Sequence, residues 1–201
     1  MLGEIVDFIV NIVGDLGYIG IVIMMALESS FFPFPSEVVM VPAGYLAHKG
    51  EMNILVVIGA GIFGSLLGAW LNYLLAIKFG RAFIIKYGKY IFFDEEKMEK
   101  VEKFFQNHGH ISTFSGRLVP VIRQYISFPA GIAKMPFGLF SFFTGLGAGI
   151  WVIILTLLGY FIGDNEALVK EYLHTIVAVT VVAVLIVISI YIRKQKRNDN
   201  I

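Results

Sequence analysis

The sequence predicts an all-α integral membrane protein built as an inverted repeat, each half a re-entrant helical hairpin followed by a transmembrane helix. Three observations lead there. The chain is 57% hydrophobic and only 15% charged, where soluble domains carry about 25% charged residues. Residues 54–77 and 135–163 are uncharged and long enough to span a bilayer, which takes about 20 residues. Finally, two stretches match. Glu28-Ser-Ser-Phe-Phe-Pro33-Phe-Pro35-Ser36-Glu37 runs on to Pro42-Ala43-Gly44, and Gly116-Arg117-Leu-Val-Pro120-Val-Ile-Arg123 runs on to Pro129-Ala130-Gly131.

The Pro-Ala-Gly triplets lie 87 residues apart, and the span ends Phe79-Gly80 and Ile162-Gly163 lie 83 apart. A hairpin returns to its own face and the following span crosses once. The second copy therefore starts on the opposite face, the common plan of secondary transporters. One membrane domain, 1–201, is expected. Repeat 1 covers about 28–81 and repeat 2 about 111–164, with an amphipathic surface helix between them and a C-terminal transmembrane helix at about 172–193.

Residues 1–14 place Ile5, Phe8, Ile9 and Ile12 at helical spacing beside Glu4, Asp7 and Asn11, which reads as a surface-lying amphipathic helix. Leu16–Leu27 is uncharged but too short to span alone. It either continues past Glu28 or joins the first segment as one bent span. In residues 31–50, Pro33, Pro35, Pro42 and Gly44 interrupt an apolar run, and Ser36 is placed to cap the helix after Pro35. Ala60, Gly61, Gly64 and Gly68 offer small residues for close helix approach, as do Gly145, Gly149, Gly159 and Gly163. Asp94 is placed to cap a helix carrying Met98, Val101, Phe104 and Phe105 on one face. Glu96–Lys100 and Glu99–Lys103 support it, and Asn107-His108-Gly109 reads as its stop. Seven basic residues in 78–103 and four in Arg193–Arg197 put both segments on the cytoplasmic side. The first hairpin then opens outward and the second inward.

Charge and irregular backbone are both costly in hydrocarbon, so the two hairpins are the candidate site. Gly116 and Pro120 are expected to break the helix between Arg117 and Arg123, letting both guanidiniums turn to one point. A guanidinium is a planar donor fork suited to phosphate or carboxylate. Each Arg costs about 2.5–3.5 kcal/mol at mid-bilayer, and Glu28 and Glu37 can neutralise the pair. Ser36 and the amides after it form an anion-accepting helix start. Glu37 in that turn repels an anion until protonated, which is a route to proton coupling. The plainer reading is two buried salt bridges that pin the hairpins. His108 and His110 read as helix-end residues rather than metal ligands. Asn72 and Tyr73 either line a pathway or hydrogen-bond between helices. Lys134 reads as a snorkelling residue.

With no cysteines, disulfides, thiol catalysis and cysteine-held metals are excluded. The N-terminus carries Glu4 and Asp7 instead of a basic region, so no signal peptide is expected. A net charge of +1 points to no nucleic acid. Without a phosphate loop, a catalytic Ser motif or metal-ligand spacing, the expectation is a protein that is not an enzyme and carries no cofactor or metal. Its partners are a membrane lipid and protons, and a homo-oligomer stays open.

The motifs from Glu28 to Glu37, Pro42-Ala-Gly44-Tyr-Leu-Ala, Gly116 to Arg123 and Pro129-Ala-Gly131 resemble the DedA family, also called the SNARE-associated or VTT-domain superfamily. The likeness covers about residues 15–165. Pro35-Ser36-Glu37 looks most like the branch linked to recycling of undecaprenyl phosphate, although many members carry Asp where Glu37 stands. The resemblance implies two facing re-entrant hairpins and proton-linked translocation of that lipid phosphate across the bacterial cytoplasmic membrane. It also implies functional roles for Glu28, Glu37, Arg117 and Arg123. Other members are tied to phospholipid scrambling, phosphatidylethanolamine flipping and membrane homeostasis, which form the alternative. Some have been labelled phosphatase-like, a chemistry these residues do not supply. A tag after Ile201 and a label within Asp94–Glu102 are both expected to report cytoplasmic. Reaction of either with an impermeant outside reagent in intact cells would sink the threading.

Overall fold

The computed structural model describes residues 2–30, 35–80, 95–119 and 122–162, except for the side chains of 2–11, 95–98, Lys100 and Gln106. Pro33, Pro120, Asp94, the C-terminal helix at 172–193 and the basic tail lie outside the described residues. Every described element is helical: α1 Leu2–Glu28, α2 Glu37–His48, α3 Ile54–Leu75, α4 Glu95–Leu118, α5 Ile122–Tyr125, α6 Ser127–Ile132 and α7 Phe137–Ile162.

The first two apolar segments form one bent element. α1 kinks at Gly17, whose φ of 58° and ψ of −133° suit a residue without Cβ. It stops at Glu28, where the Ser30 hydroxyl donates to the Leu27 carbonyl at 2.8 Å. α3 starts where Asn53 Oδ1 accepts from the amides of Leu55 (2.9 Å) and Val56 (3.4 Å), and it runs on through a π-helical turn to Gly80.

Three expected interruptions are absent. Pro42 and Gly44 lie inside α2, and α4 passes through Asn107-His108-Gly109 and through Gly116. Local breaker signals lose here to packing. A proline removes one helical hydrogen bond, but the α2 residues from Glu37 to Gly44 are all buried against their neighbours, which holds the helix together. Gly109 lies against Met135 and Gly116 against Ile126, so both serve close approach. The expected surface helix is therefore the first part of a longer element whose end enters the second repeat. On its face Phe105 is buried, while Phe104 is half exposed. His108 and His110 sit mid-helix, against Phe104 and Phe143.

Packing repeats as the sequence does. In each half the entry helix lies on that half's own long helix, α1 on α3 and α4 on α7. The return helices are exchanged: α2 packs chiefly on α7, and α6 on α3. A Cβ at Gly44 would fall on the Thr156 carbonyl oxygen, and one at Gly131 would lie 2.5 Å from the Tyr73 carbonyl oxygen. Gly44 and Gly131 are the equivalent triplet glycines. Thr156 and Tyr73 are 83 residues apart, the same spacing as the two span ends. The contact is thus made twice, once in each direction.

α3 with its π turn (mean hydropathy 2.2) and α7 (2.1) are long and apolar enough to cross a membrane. Their outer faces expose Leu55, Phe63, Leu74, Phe142, Ile154 and Phe161, an apolar surface that water would disfavour.

Gly44→Val and Gly159→Val each put a side chain into the facing helix's backbone. Each is expected to lower stability by about 2–3 kcal/mol or more, read as thermal unfolding in detergent. Gly59→Ala, which meets nothing within 4 Å, is the matched control and should leave the unfolding temperature unchanged or raised.

Candidate functional site

The candidate residues converge where the ends of α1 and α4, the start of α2, and α5 and α6 come together. The break between α4 and α5 falls after Leu118, past Gly116, and it turns Arg123 back toward the end of α1. One terminal nitrogen of Arg123 (Nη2) donates to Glu28 Oε1 at 2.5 Å and to Ser36 Oγ at 2.8 Å. The other Glu28 oxygen accepts from Ser29 Oγ at 3.0 Å. Arg117, at the end of α4, donates from Nη2 to Ser127 Oγ at 2.8 Å, and no carboxylate lies within ion-pairing distance of it among the described residues. Ser36 does not cap α2: its backbone is helical and its hydroxyl makes no cap hydrogen bond, serving Arg123 instead.

Burial makes these contacts consequential. Glu28 is 2% exposed, Arg117 3% and Arg123 9%. A buried charge left without a partner costs several kcal/mol, and a buried donor or acceptor without a hydrogen bond costs about 1–3 kcal/mol. Yet Glu37 Oε2, Arg117 Nε, Arg123 Nε and Trp151 Nε1 are all buried without a partner. Arg117, Arg123 and Trp151 line one small cavity, together with Glu28, Ser29 and Ser65. Its free space is on the order of a single water molecule. Arg123 and Ser36 also lie 87 residues apart, the triplet spacing. Equivalent positions of the two repeats thus touch each other here.

Asn72 ties the hairpins together. From α3 its amide nitrogen donates to the carbonyls of Ser30 (2.8 Å), Ser29 (3.2 Å) and Gln124 (3.5 Å). Tyr73 donates to the Met135 carbonyl. Both make interhelical hydrogen bonds, one of the two roles open from sequence. Pro35 precedes Ser36 at the start of α2, and Pro129 lies within α6. Lys134, exposed with φ of 52°, closes the turn after α6. Ser127 and Trp151 escaped the sequence reading. A neutral polar atom in an apolar run carries no charge to mark it, and only its cost in hydrocarbon could have done so.

Residues 34–161 match the family described as VTT domain. The chain belongs to the VTT-domain (DedA) family. Relatives of this VTT-domain protein include undecaprenyl phosphate transporter A of Bacillus subtilis, 32% identical over 98% of this chain and 97% of the relative. An alkaline phosphatase-like protein of Lactococcus lactis is 33% identical over 95% and 92%. Protein DedA of Escherichia coli is 27% identical over 76% and 71%. No solved structure matches.

Removing one partner of the buried ion pair should cost more than removing both. Glu28→Ala, which strands Arg123, is expected to cost about 3–5 kcal/mol. Glu28→Met with Arg123→Met together should recover a large part of that loss in detergent unfolding. An additive double variant would show that the pair is not coupled.

Proposed function

We propose that this VTT-domain protein is a multi-pass transporter of the bacterial cytoplasmic membrane, with its C-terminus cytoplasmic, that translocates a lipid phosphate of the polyprenyl type. The observation that carries the reading is the pair of buried guanidiniums, Arg117 and Arg123, with unused N–H groups at a cavity between interlocked repeats. Donors without acceptors in hydrocarbon suit an anionic head group. The name of the Bacillus subtilis relative agrees with that chemistry. Two hairpins entering from opposite faces bring the head group to mid-membrane, while the exposed apolar faces of α3 and α7 leave its tail in lipid.

Glu28 is the competitor for the phosphate. It holds Arg123 in the closed arrangement, and the cavity is too small for a phosphate until that contact opens. Protonation of Glu28, or of Glu37 beside it, weakens the hold on Arg123 and removes a repelling charge. Inward proton flow can thereby drive the cycle. Neither guanidinium is expected to act as a nucleophile or base, so the proposed step moves the phosphate without cleaving it. Phosphate release by the purified protein would instead favour the chemistry named in the Lactococcus lactis relative.

Head-group binding of a polyprenyl phosphate in detergent tests this. Binding should tighten at mildly acid pH, after allowance for the phosphate's own titration near pH 6. Glu28→Gln is expected to bind at least as well as the parent, with a flattened pH dependence and slow transport in vesicles, while Glu37→Gln, which makes no ion pair with either guanidinium, should change the pH dependence less. Arg117→Lys and Arg123→Lys keep charge but lose the planar fork, and each should weaken binding at least about tenfold, the size of one charged hydrogen bond. Normal transport by both Lys variants would leave only charge as the requirement. Equal or tighter binding of a glycerophospholipid would move the substrate to that class.

A further inference from the structure

Trp151 stands in the middle of α7, within an uncharged run. Its indole N–H is buried and has no partner. The chain has two tryptophans, and the other does not share this state: Trp70 Nε1 donates to Ser141 Oγ at 2.9 Å. A phenylalanine at 151 would fill most of the same space without burying an unused donor, so the donor is a standing cost. The Trp151 ring also lies beside Arg123, whose guanidinium carbon is 5.7 Å from the ring centroid.

Three unused donors, Arg117 Nε, Arg123 Nε and Trp151 Nε1, belong to residues lining the same cavity. The carboxylate there is already engaged, since Glu28 accepts from Arg123 on one oxygen and from Ser29 on the other. What the cavity lacks is therefore an acceptor. We propose that Trp151 is a third ligand of the phosphate, beside Arg117 and Arg123, and that it selects a terminal phosphate monoester over a phosphodiester. This rests on the lipid-phosphate reading above.

The selectivity follows from charge and room. A terminal phosphate carries close to two negative charges near neutral pH and three free oxygens on one open face, so each of the three donors can reach one. A phosphodiester carries a single charge and puts a second ester substituent where the third oxygen would stand, so the donor aimed there meets carbon. A site built to pair every donor penalises the ligand that leaves one empty. Indole is a donor only and does not titrate, so its contribution stays constant with pH while the carboxylates change.

The test uses Trp70→Phe protein, in which Trp151 is the sole tryptophan. Geranyl monophosphate, a glycerophosphodiester of matched chain length and geraniol are the probes. A 15N resonance of the Trp151 indole should move on adding the monophosphate and stay in place with geraniol. Adding Trp151→Phe should weaken monophosphate binding by about ten- to a hundredfold, the range of a charged hydrogen bond, and diester binding by much less. The monoester-to-diester ratio should collapse even though the ring's packing is kept. If the parent binds the monophosphate but the indole resonance does not move, the inference fails and the transport reading stands. The same holds if Trp151→Phe leaves the ratio intact. If the parent binds neither phosphate, the transport reading fails and the inference with it. The resonance measurement needs no change at position 151, so a poorly folding Trp151→Phe would still leave a decisive result.

Discussion

The contact of Arg123 with Glu28 and Ser36 is the constraint from which the rest of the arrangement follows. It joins α5 to the end of α1 and the start of α2, so it fixes these three elements against one another. A guanidinium at 9% exposure cannot be left alone, and its partner must come from the opposite half because α4 and α5 supply no acid at that end. Asn72 then reinforces the junction from α3 with neutral hydrogen bonds to both hairpins. The glycines set the distance. Only where Gly44 and Gly131 meet a facing backbone can the return helices come near enough for these polar groups to touch.

Such a junction places a charged contact where little water competes for it. Ion pairs in low dielectric respond to a single proton far more than packed apolar contacts do. The apolar core on either side, with Val39, Met40 and Ile21 in one cluster and Phe140, Tyr73 and Ala130 in another, has no comparable switch. Both clusters draw on α3 and α7, so the same two long helices frame the polar groups between them.

The long helices were legible because their signal is composition. Residues 54–77 and 135–163 carry no charge, and the helices found are Ile54–Leu75 with a π turn beyond it and Phe137–Ile162. The pairing of the two halves was legible from the Pro-Ala-Gly triplets, and the convergence of Glu28 and Arg123 from their cost in hydrocarbon. Helix ends were not. Asn107-His108-Gly109, Gly116 and Pro42 are breakers by local propensity, and tertiary contacts outweigh propensities of about 1 kcal/mol for glycine. The Ser36 hydroxyl was misassigned for the same reason: a nearby cation is a better partner than an amide of the next turn.

The exchange of return helices has a consequence for how the protein is made. α2 packs chiefly on α7, with Gly44 against Thr156, and α7 begins 89 residues after α2 ends, at Phe137 against His48. At a synthesis rate of about 5–20 residues per second, roughly 4–18 seconds separate the making of α2 from the making of its main packing partner. Until then α2 has only α1 and α3 to pack on, so the first half reaches its final packing only after the second half has been made.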